Sequence, residues 1–405
     1  MNRPTILAPA GNQRSFEAAL RFGADAVYCG LKQNNLRAGA ENFTEEELGR
    51  MIERAHAVGK TLFVPLNSFP LQEDMHGMQA QACAVADLGA DAVILSDLGL
   101  IRTVHRLRPN LAIHVSTQAS ITNAESIRIL ADLGASRVVL ARELSLESIA
   151  EISYALHGEV ELEAFVHGAV CMAWSGRCLL SRYLNDRSAN AGMCTQPCRW
   201  TYRFCDPAKP ERAFELEQNE RGSAVLSAHD LCMFDHLDAL ARAGICCFKI
   251  EGRTKSEYYV GTVTGAYRRQ VERLWGNPSA TTREADRLEL ECVSHRPYST
   301  GFYFGSPREA LGEMSDRSLE REYIGLVLQR RDDRILVAMK NRFFQGDDLE
   351  VVTPQGPVGF TVTEILSADT GERLCAASHP GMQVWVPCAH ASPGDLLRGR
   401  VRNRA

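Results

Sequence analysis

Residues 87–97 read DLGADAVILSD, and variations of this phrase recur along the chain. The other copies are RFGADAVYCG (21–30), DLGASRVVLARE (132–143) and RAGICCFKIEG (242–252). Each copy joins the end of a helix to a capping glycine and then to a short apolar strand that ends in a polar or charged residue. A unit that recurs in this way indicates a chain built from alternating helices and strands.

The stretches between these copies complete a set of eight predicted strands, near 4–8, 25–30, 61–66, 92–96, 111–116, 137–141, 160–166 and 245–251. Amphipathic stretches at 45–58, 75–88, 124–133 and 146–156 predict helices between them. Because apolar parallel strands need helices to cover them, eight such units favour a closed, TIM-like (β/α)8 barrel. The alternative is a doubly wound open sheet, which is disfavoured because no glycine-rich dinucleotide fingerprint follows the first strand.

The pattern changes in the last quarter of the chain. It is irregular from about 275 to 321 and then gives closely spaced short strands, namely YIGLVLQ, RILVAMK, DDLEVVT, VGFTVTEI, QVWVPC and DLLRGR. Short strands separated by turn residues are typical of a small all-β barrel or sandwich. We therefore predict a barrel domain over residues 1–318 and a small β domain, a candidate RNA-binding module, over residues 319–405.

Composition places the chain in a broad class. It has 405 residues, of which 45% are hydrophobic and 23% charged, as in ordinary soluble globular proteins. Neither a signal peptide nor an apolar run of about 18 residues occurs, so we expect a cytoplasmic protein without a membrane partner. The net charge of −5 argues against nucleic-acid binding over the whole surface and leaves a local basic patch open. The oligomeric state is not predicted.

Cysteines cluster after the seventh predicted strand. The stretch 161–200, ELEAFVHGAVCMAWSGRCLLSRYLNDRSANAGMCTQPCRW, contains Cys171, Cys178, Cys194 and Cys198, and Cys232 follows on a helix-like segment. In a cytoplasmic chain, clustered thiols indicate metal binding or catalysis rather than disulfides. Structural zinc usually takes thiols in two close pairs, whereas an iron–sulfur cluster accepts widely separated thiolates. Iron–sulfur, zinc and a metal-free nucleophilic or structural role all stay open on spacing alone.

In a (β/α)8 barrel, functional side chains lie where the strands end. The predicted strand ends carry these polar residues and one thiol: Asn12, Cys29, Asn67, Ser96, Asp97, Ser116, Gln118, Arg142, Glu143, His167, Glu251 and Arg253. Because the cysteine-rich stretch leaves the seventh strand, its thiols are expected on the same rim as these groups.

Five motifs in order carry a family resemblance. They are AFVHGAVCMAWSGRCLLSRY (164–183), GMCTQPCRWTY (192–202), DLCMFDHL (230–237), FKIEGRTKSEYYV (248–260) and HRPYSTGFYFG (295–305). Together they resemble peptidase family U32, the collagenase-like proteins, over essentially the whole chain. The resemblance implies an oxygen-sensitive 4Fe-4S cluster and oxygen-independent hydroxylation of tRNA uridine, ribosomal RNA cytidine or the ubiquinone ring, with prephenate as hydroxyl source. Since the tRNA-acting members also carry a C-terminal β domain, the expected product is 5-hydroxyuridine at the wobble position of the tRNA anticodon loop. The alternative is peptidase activity, which the family's name suggests, although no nucleophile with a base and an orienting group stands out.

The resemblance also implies roles for individual residues. The cluster ligands would be Cys171, Cys178, Cys194 and Cys232, with Cys198 as the alternative ligand. Forked cations suit a dicarboxylate such as prephenate, so Arg253 and Arg142 are its candidate ligands. Gln118, Lys255 and Trp174 are further candidate substrate contacts, while His167, Asp97 and Glu143 are candidate groups for proton transfer. The terminal run RGRVRNR is a candidate phosphate contact.

Overall fold

The structure is a computed structural model that describes residues 2–171, 173–200, 204–206, 209–214, 229–276, 281–305 and 321–401. Its first domain is built on the strands β1 Thr5–Ala10, β2 Ala26–Cys29, β3 Thr61–Pro65, β4 Ala92–Leu95, β5 Ala112–Val115, β6 Arg137–Val139, β7 Glu161–Ala169, β8 Phe204–Asp206, β9 Lys209–Phe214, β10 Asp230–Cys232, β11 Cys247–Ile250 and β12 Tyr298–Ser299. Strands β1 to β7 are parallel neighbours in chain order, and β11 pairs with both β7 and β1. This closure confirms the eight-stranded barrel.

The helices are α1 Gln13–Arg21, α2 Glu45–His56, α3 Met75–Asp87, α4 Leu98–Leu107, α5 Ala124–Asp132, α6 Leu146–Leu156, α7 Leu180–Asn185, α8 Leu237–Arg242, α9 Glu257–Leu274 and α10 Arg283–Glu291, with 3-10 turns at Thr117–Ala119, Ala189–Ala191, Pro197–Arg199 and Phe234–His236. The repeated glycine follows a helix in all four copies, at Gly23, Gly89, Gly134 and Gly244, with φ between 88° and 105°. This left-handed conformation is costly for residues with a Cβ, so the repeated phrase encodes the helix-to-strand turn.

Two segments differ from the sequence prediction. Helix α10 occupies part of the stretch predicted to be irregular; Thr282 caps it by accepting a hydrogen bond from the backbone N–H of Ala285 (3.1 Å). Cys232 was placed on a helix-like segment, but it ends strand β10, which pairs antiparallel with β7 so that Cys232 lies opposite His167. This extra strand pairs with the C-terminal end of β7 and, with β12, extends the sheet beyond the barrel closure.

The C-terminal domain is all-β. Its strands are β13 Arg321–Arg331, β14 Arg334–Met339, β15 Phe343–Phe344, β16 Asp348–Thr353, β17 Gly356–Thr361, β18 Leu366–Ser367, β19 Ala376–Ala377, β20 Gln383–Pro387 and β21 Leu396–Arg400. Seven of them form an antiparallel sheet in the order β17-β16-β21-β13-β14-β20-β18, around a core of its own. The predicted small β domain is confirmed, while its predicted boundary at 318/319 lies outside the described residues.

Buried ion pairs join the two domains. The guanidinium of Arg398 on β21 contacts Glu289 on α10 at 2.6 Å, and Arg21 on α1 contacts Asp395 at 2.6 Å. Because charges removed from water need such partners, these contacts lock the small domain onto the barrel in one orientation. No helix among the described residues combines the length and the apolar composition that crossing a bilayer requires.

Candidate active site at the barrel mouth

A small pocket of about 100 Å³ opens where the barrel strands end. Its charged lining consists of four cations, Arg37, Arg142, Lys249 and Arg253, and one carboxylate, Glu251. Arg142, Arg253 and Gln118 were predicted substrate contacts, and the structure brings them together in this pocket. The excess of cations over carboxylates suits an anionic ligand.

Glu251 compensates part of this positive charge. Its carboxylate accepts a hydrogen bond from Nε of Arg37 (3.2 Å), forms an ion pair with Nη2 of the same residue (3.2 Å), and lies 3.7 Å from Nη2 of Arg142. Burial raises the pKa of Glu251, but Arg37 and Arg142 outweigh burial, so the pKa of this carboxyl lies below its usual value. Glu251 is therefore ionised and paired.

Arg253 and Arg142 each keep one donor unused. Arg253 is almost fully buried, its Nη2 donates to the side-chain oxygens of Asn35 (2.7 Å) and Asn42, and burial lowers its pKa to about 10. Arg142 donates from Nη1 to the carbonyl of Ala169 (3.0 Å) and lies over the ring of Phe165. The buried Nε–H groups of both arginines have no hydrogen-bond partner among the described residues. Buried donors are normally paired, so these two, on residues that line the pocket, are candidate contacts for a ligand oxygen.

Beneath the pocket, the barrel interior holds a second charged layer. Lys249 donates to Glu163 at 2.7 Å, and Arg137 approaches the same carboxylate at 3.4 Å. The ammonium of Lys249 also lies 4.9 Å from the ring centre of Tyr28, a cation–π contact. Lys249 is therefore held with its charge at the floor of the pocket.

The cysteine-rich stretch lies against this rim. Glu143 accepts from the backbone N–H of Ser175 (2.7 Å) and from its hydroxyl (3.0 Å), which ties the stretch to the end of β6. Gly176 has φ +75°, and a Cβ there would stand 2.0 Å from the carbonyl oxygen of Gln118, so only glycine permits this close approach. Cys171 consequently lines the pocket, where its thiol interacts electrostatically with Arg37.

The thiols have different surroundings. Burial raises the pKa of Cys198, Arg199 lowers it, and the thiols of Cys171, Cys194 and Cys178 raise it. Cys232 lies 3.9 Å from the hydroxyl of Tyr267, and burial raises its pKa to about 11. Thiolates are the donor type that iron–sulfur clusters use, so the residues present fit such a group chemically. Within the described ranges, however, no group of three or more His, Cys, Asp or Glu side chains is positioned to hold a metal ion.

The three predicted proton-transfer residues lie outside the described lining of the pocket. His167 is buried among Tyr259, Tyr267 and Tyr298, and its ring nitrogens lie 3.2 Å and 3.4 Å from the Tyr267 and Tyr298 hydroxyls. Burial lowers the pKa of His167 to about 3, so its ring is neutral. Asp97 caps helix α4 by accepting from the backbone N–H of Leu100 (2.8 Å), and Glu143 holds Ser175.

The remaining predicted substrate contacts lie around the pocket. Trp174 is half exposed on the cysteine-rich stretch, and Tyr183 and Trp200 on the same stretch are also exposed. Lys255 lies outside the pocket lining, where its ammonium donates to the carbonyl of Ser294 (2.9 Å) and lies 5.1 Å from the ring centre of Tyr259. Three aromatic side chains of the stretch that lies against the barrel mouth are therefore exposed to solvent.

Of the terminal basic run, Arg398 is not available to a ligand, Arg400 is exposed, and the part from residue 402 lies outside the described residues. Arg398 is only 3% exposed and is occupied by Glu289 and Glu350. Arg268 and Arg269, two adjacent basic residues on α9, are also buried and are paired with Asp25 and Asp286. These three arginines stabilise the fold and are not available to a phosphate.

Two pocket residues were missed in the sequence. Arg37 lies in the loop after β2, where no periodicity singles it out. Lys249 had a usable signal, because a lysine inside the apolar run ICCFKI needs a buried partner. That partner, Glu163, lies on another strand, and only the closed barrel brings the two together.

The fold and the site define a (β/α)8 barrel whose mouth combines a cation-lined pocket with a cysteine-rich rim. The chain belongs to peptidase family U32: the family profile matches residues 11–313, and the profile of the U32 C-terminal domain matches residues 320–398. Family membership confirms the resemblance seen in the five motifs.

Relatives within this family carry different names. One is tRNA hydroxylation protein P of Escherichia coli, 35% identical, with 98% of this chain and 95% of the relative covered. Another is tRNA hydroxylation protein P1 of Bacillus subtilis, 35% identical, with 93% of this chain and 90% of the relative covered. A third, from Porphyromonas gingivalis, is named Collagenase and is 33% identical, with 77% of this chain and 75% of the relative covered.

Proposed function

We propose that this chain is a tRNA-modifying enzyme that hydroxylates the wobble uridine to 5-hydroxyuridine without molecular oxygen. The observation that carries the proposal is the barrel mouth, where Cys171 lines the same pocket as the unpartnered Nε–H groups of Arg142 and Arg253. The names of the Escherichia coli and Bacillus subtilis relatives, which match this chain over both domains, support tRNA as the substrate.

The pocket is the proposed site of the small hydroxyl donor, prephenate. A dicarboxylate provides oxygen acceptors for the two free Nε–H groups, and a guanidinium presents its donors in the fork that a carboxylate matches. Lys249 adds a third cation at the floor, and Gln118 adds a polar wall. In this proposal the arginines and Lys249 bind and orient the donor, while Glu251 keeps Arg37 in place.

The cysteine-rich stretch is the proposed site of a 4Fe-4S cluster. Cys171, Cys178 and Cys194 would supply three thiolates, and Cys232 the fourth, with Cys198 as the alternative. The family resemblance favours Cys232, whereas the electrostatic proximity of Cys198 to the first three thiols favours Cys198. When bound, the cluster would supply one-electron redox chemistry beside the donor pocket.

The exposed aromatic side chains are the proposed platform for the uridine. A base in an anticodon loop is already largely unstacked, so an enzyme reaches it at low cost and holds it by stacking. Trp174, Tyr183 and Trp200 offer such faces on the stretch that carries the thiols. The proton-transfer roles of His167, Asp97 and Glu143 stay predictions.

The test is mass spectrometry of tRNA nucleosides from a strain that lacks this protein. We expect 5-hydroxyuridine and its derivatives to disappear, and to return with the wild-type gene but not with an Arg253→Ala variant. Unchanged 5-hydroxyuridine in a strain without a redundant pathway would refute the proposal. If that strain instead lacks a hydroxylated ribosomal RNA cytidine or ubiquinone, the substrate of this protein is that ribosomal RNA or the ubiquinone ring.

The Porphyromonas gingivalis relative favours a second candidate, peptidase activity. If the protein is a peptidase, the purified protein should cleave gelatin. The Cys171→Ala variant should then be inactive, and metal-free protein should still cleave. Absence of cleavage by wild-type protein would remove this candidate.

A further inference from the structure

A large cleft of about 1310 Å³ lies between the barrel and the C-terminal domain. It is walled by α1, by the end of α2 and the residues that follow it, by the segment that leads into α9, and by β13, Lys340 and the turn at Pro393. Six basic and three acidic side chains line it, although the whole chain carries a net charge of −5. The cleft therefore concentrates positive charge on a protein that is otherwise acidic.

From this cleft we infer an RNA-binding surface that holds the sugar–phosphate backbone of the substrate, with Arg14 and Lys340 as phosphate contacts. The inference rests on the proposed function, because a tRNA substrate is what brings RNA to this face. It adds a surface distinct from the terminal basic run, of which Arg398 is buried.

The two residues are the most available cations of the cleft. Arg14 is exposed, and no carboxylate lies within ion-pair distance of it in the part of the chain that the structure describes. Lys340 is 38% exposed, and its contact with Glu257 is long, at 3.9 Å. By contrast, Arg54 is engaged by Glu17 and Arg21 by Asp395.

Helix α1 adds a fixed partial charge. Its N-terminus opens on the cleft at Asn12 and Gln13, and its first turn has no acidic residue. Asn12 accepts from the backbone N–H of Ser15 (2.9 Å) and donates to Glu41 (3.2 Å), so only the first-turn N–H groups that this cap does not occupy add to the positive charge of the cleft.

One segment of the chain lines both the cleft and the mouth pocket. Thr254, Lys255 and Ser256 line the cleft and directly follow Arg253, which lines the pocket. The docking contacts Arg21–Asp395 and Tyr323–Glu257 (3.1 Å) join the two walls of the cleft. In this inference the phosphates that flank the modified nucleotide lie along the cleft.

The test compares two double variants with the wild-type protein for binding to an unmodified tRNA transcript between low and moderate salt. Arg14→Gln with Lys340→Gln removes the two proposed contacts. The control, Arg102→Gln with Arg106→Gln, removes two exposed arginines of α4 that lie away from the cleft. We expect the cleft variant to bind roughly tenfold more weakly at low salt, with a salt slope shallower by roughly 1.5, since each phosphate contact contributes roughly 0.7 to 0.9.

In a hydroxylation assay the cleft variant should show a raised KM for tRNA and an unchanged kcat. An unchanged affinity and slope, or an equal loss in the control, would overturn the inference. Failure of the wild-type protein to bind the transcript at low salt would instead refute the proposed function. If the double variant melts at a lower temperature than the wild-type protein, the comparison of tRNA binding is made with the single variant Arg14→Gln, because that substitution breaks no ion pair of the described residues.

Discussion

The ammonium of Lys249 lies 2.7 Å from the carboxylate of Glu163 inside the barrel, and both side chains are almost completely buried. Burial raises the pKa of Glu163, but Lys249 and then Arg137 lower it below its usual value, so the pair is ionised. A buried pair of this kind contributes little net stability while it is intact, but breaking it leaves a charge without compensation.

Replacing Lys249 should therefore cost far more than the intact pair contributes. We expect Lys249→Met to lower the free energy of unfolding by about 3–5 kcal/mol, measured by urea titration, because Glu163 loses its nearest cation. The double variant Lys249→Met with Glu163→Leu should recover most of this loss. The control is Arg50→Ala, whose exposed pair with Glu46 should be worth about 0.5 kcal/mol. A similar loss in the double variant would show that Glu163 is not the cause.

The position of the Arg253 guanidinium depends on the glycine beside it. A Cβ at Gly30 would stand 2.2 Å from Nη2 of Arg253, so Gly30→Ala should displace the guanidinium without removing its charge. We expect prephenate affinity, measured by calorimetry, to fall roughly 10- to 100-fold, with tRNA binding unchanged. Gly77→Ala is the control, since nothing lies within 4 Å of a Cβ there. If Gly30→Ala and Gly77→Ala bind prephenate with equal affinity, Arg253 does not bind the donor.

Anaerobic purification with iron analysis tests the ligand set. Cys171→Ala, Cys178→Ala and Cys194→Ala should each lose the iron, because a cluster needs every thiolate that anchors it. We expect Cys232→Ala to lose it as well and Cys198→Ala to retain it, with the exposed Cys375→Ala as control. If Cys198→Ala loses the iron and Cys232→Ala retains it, the fourth thiolate is Cys198. Zinc in place of iron in the wild-type protein would reject the cluster.

Arg398 should behave as a structural residue. Arg398→Met removes the partner of Glu289 at the domain interface, so we expect a loss of about 3–5 kcal/mol in unfolding free energy. The exposed Arg400→Ala should change stability by less than about 0.5 kcal/mol. Neither variant should alter the salt dependence of tRNA binding at a temperature where it is folded. If tRNA binding by Arg398→Met depends less steeply on salt than wild-type binding, Arg398 contacts the RNA after all.

His114 makes stability depend on pH. Burial, together with Arg137, lowers the pKa of this histidine to about 3, whereas the unfolded chain protonates it near the ordinary value of about 6.5. Stability from the neutral ring is therefore complete above about pH 6.5 and is lost as the pH falls toward 3, by about 1.4 kcal/mol per unit. Relative to His114→Leu, the wild-type protein should lose about 2 kcal/mol between pH 6.5 and pH 5. Parallel pH profiles of the two proteins would contradict this, and the exposed His76→Asn should match the wild type.

The repeated phrase was enough to predict most of the barrel. Strand β4 was expected near 92–96 and lies at Ala92–Leu95, and helix α6 was expected at 146–156 and lies at Leu146–Leu156. These elements follow from local rules, namely the capping glycine, the N-cap residue and the apolar period. Helix α10 was not predicted. Turn-forming residues precede its capping threonine, Thr282, so the start of the helix resembles a continuing loop.

The site was predicted in part. Arg142 and Arg253 are brought together because both follow barrel strands, and strand ends meet at one rim. His167 was expected after the seventh strand but lies inside β7, which bulges opposite Lys249 and Ile250, and its ring lies among tyrosines instead of in the pocket. Strand position predicts the level of a side chain along the barrel, whereas the bulge decides which way it faces.

The sequence by itself determined the architecture, the family and the set of polar residues at the strand ends, because these depend on short-range patterns. Only the tertiary structure decided which charges are paired. Arg398, in a conspicuous basic run, is occupied by Glu289, while Arg14, which no motif marks, is exposed on the interdomain cleft. Pairing depends on distances between residues far apart in the chain, and the energy of a charge depends on burial and on its nearest partner, which a linear pattern does not contain.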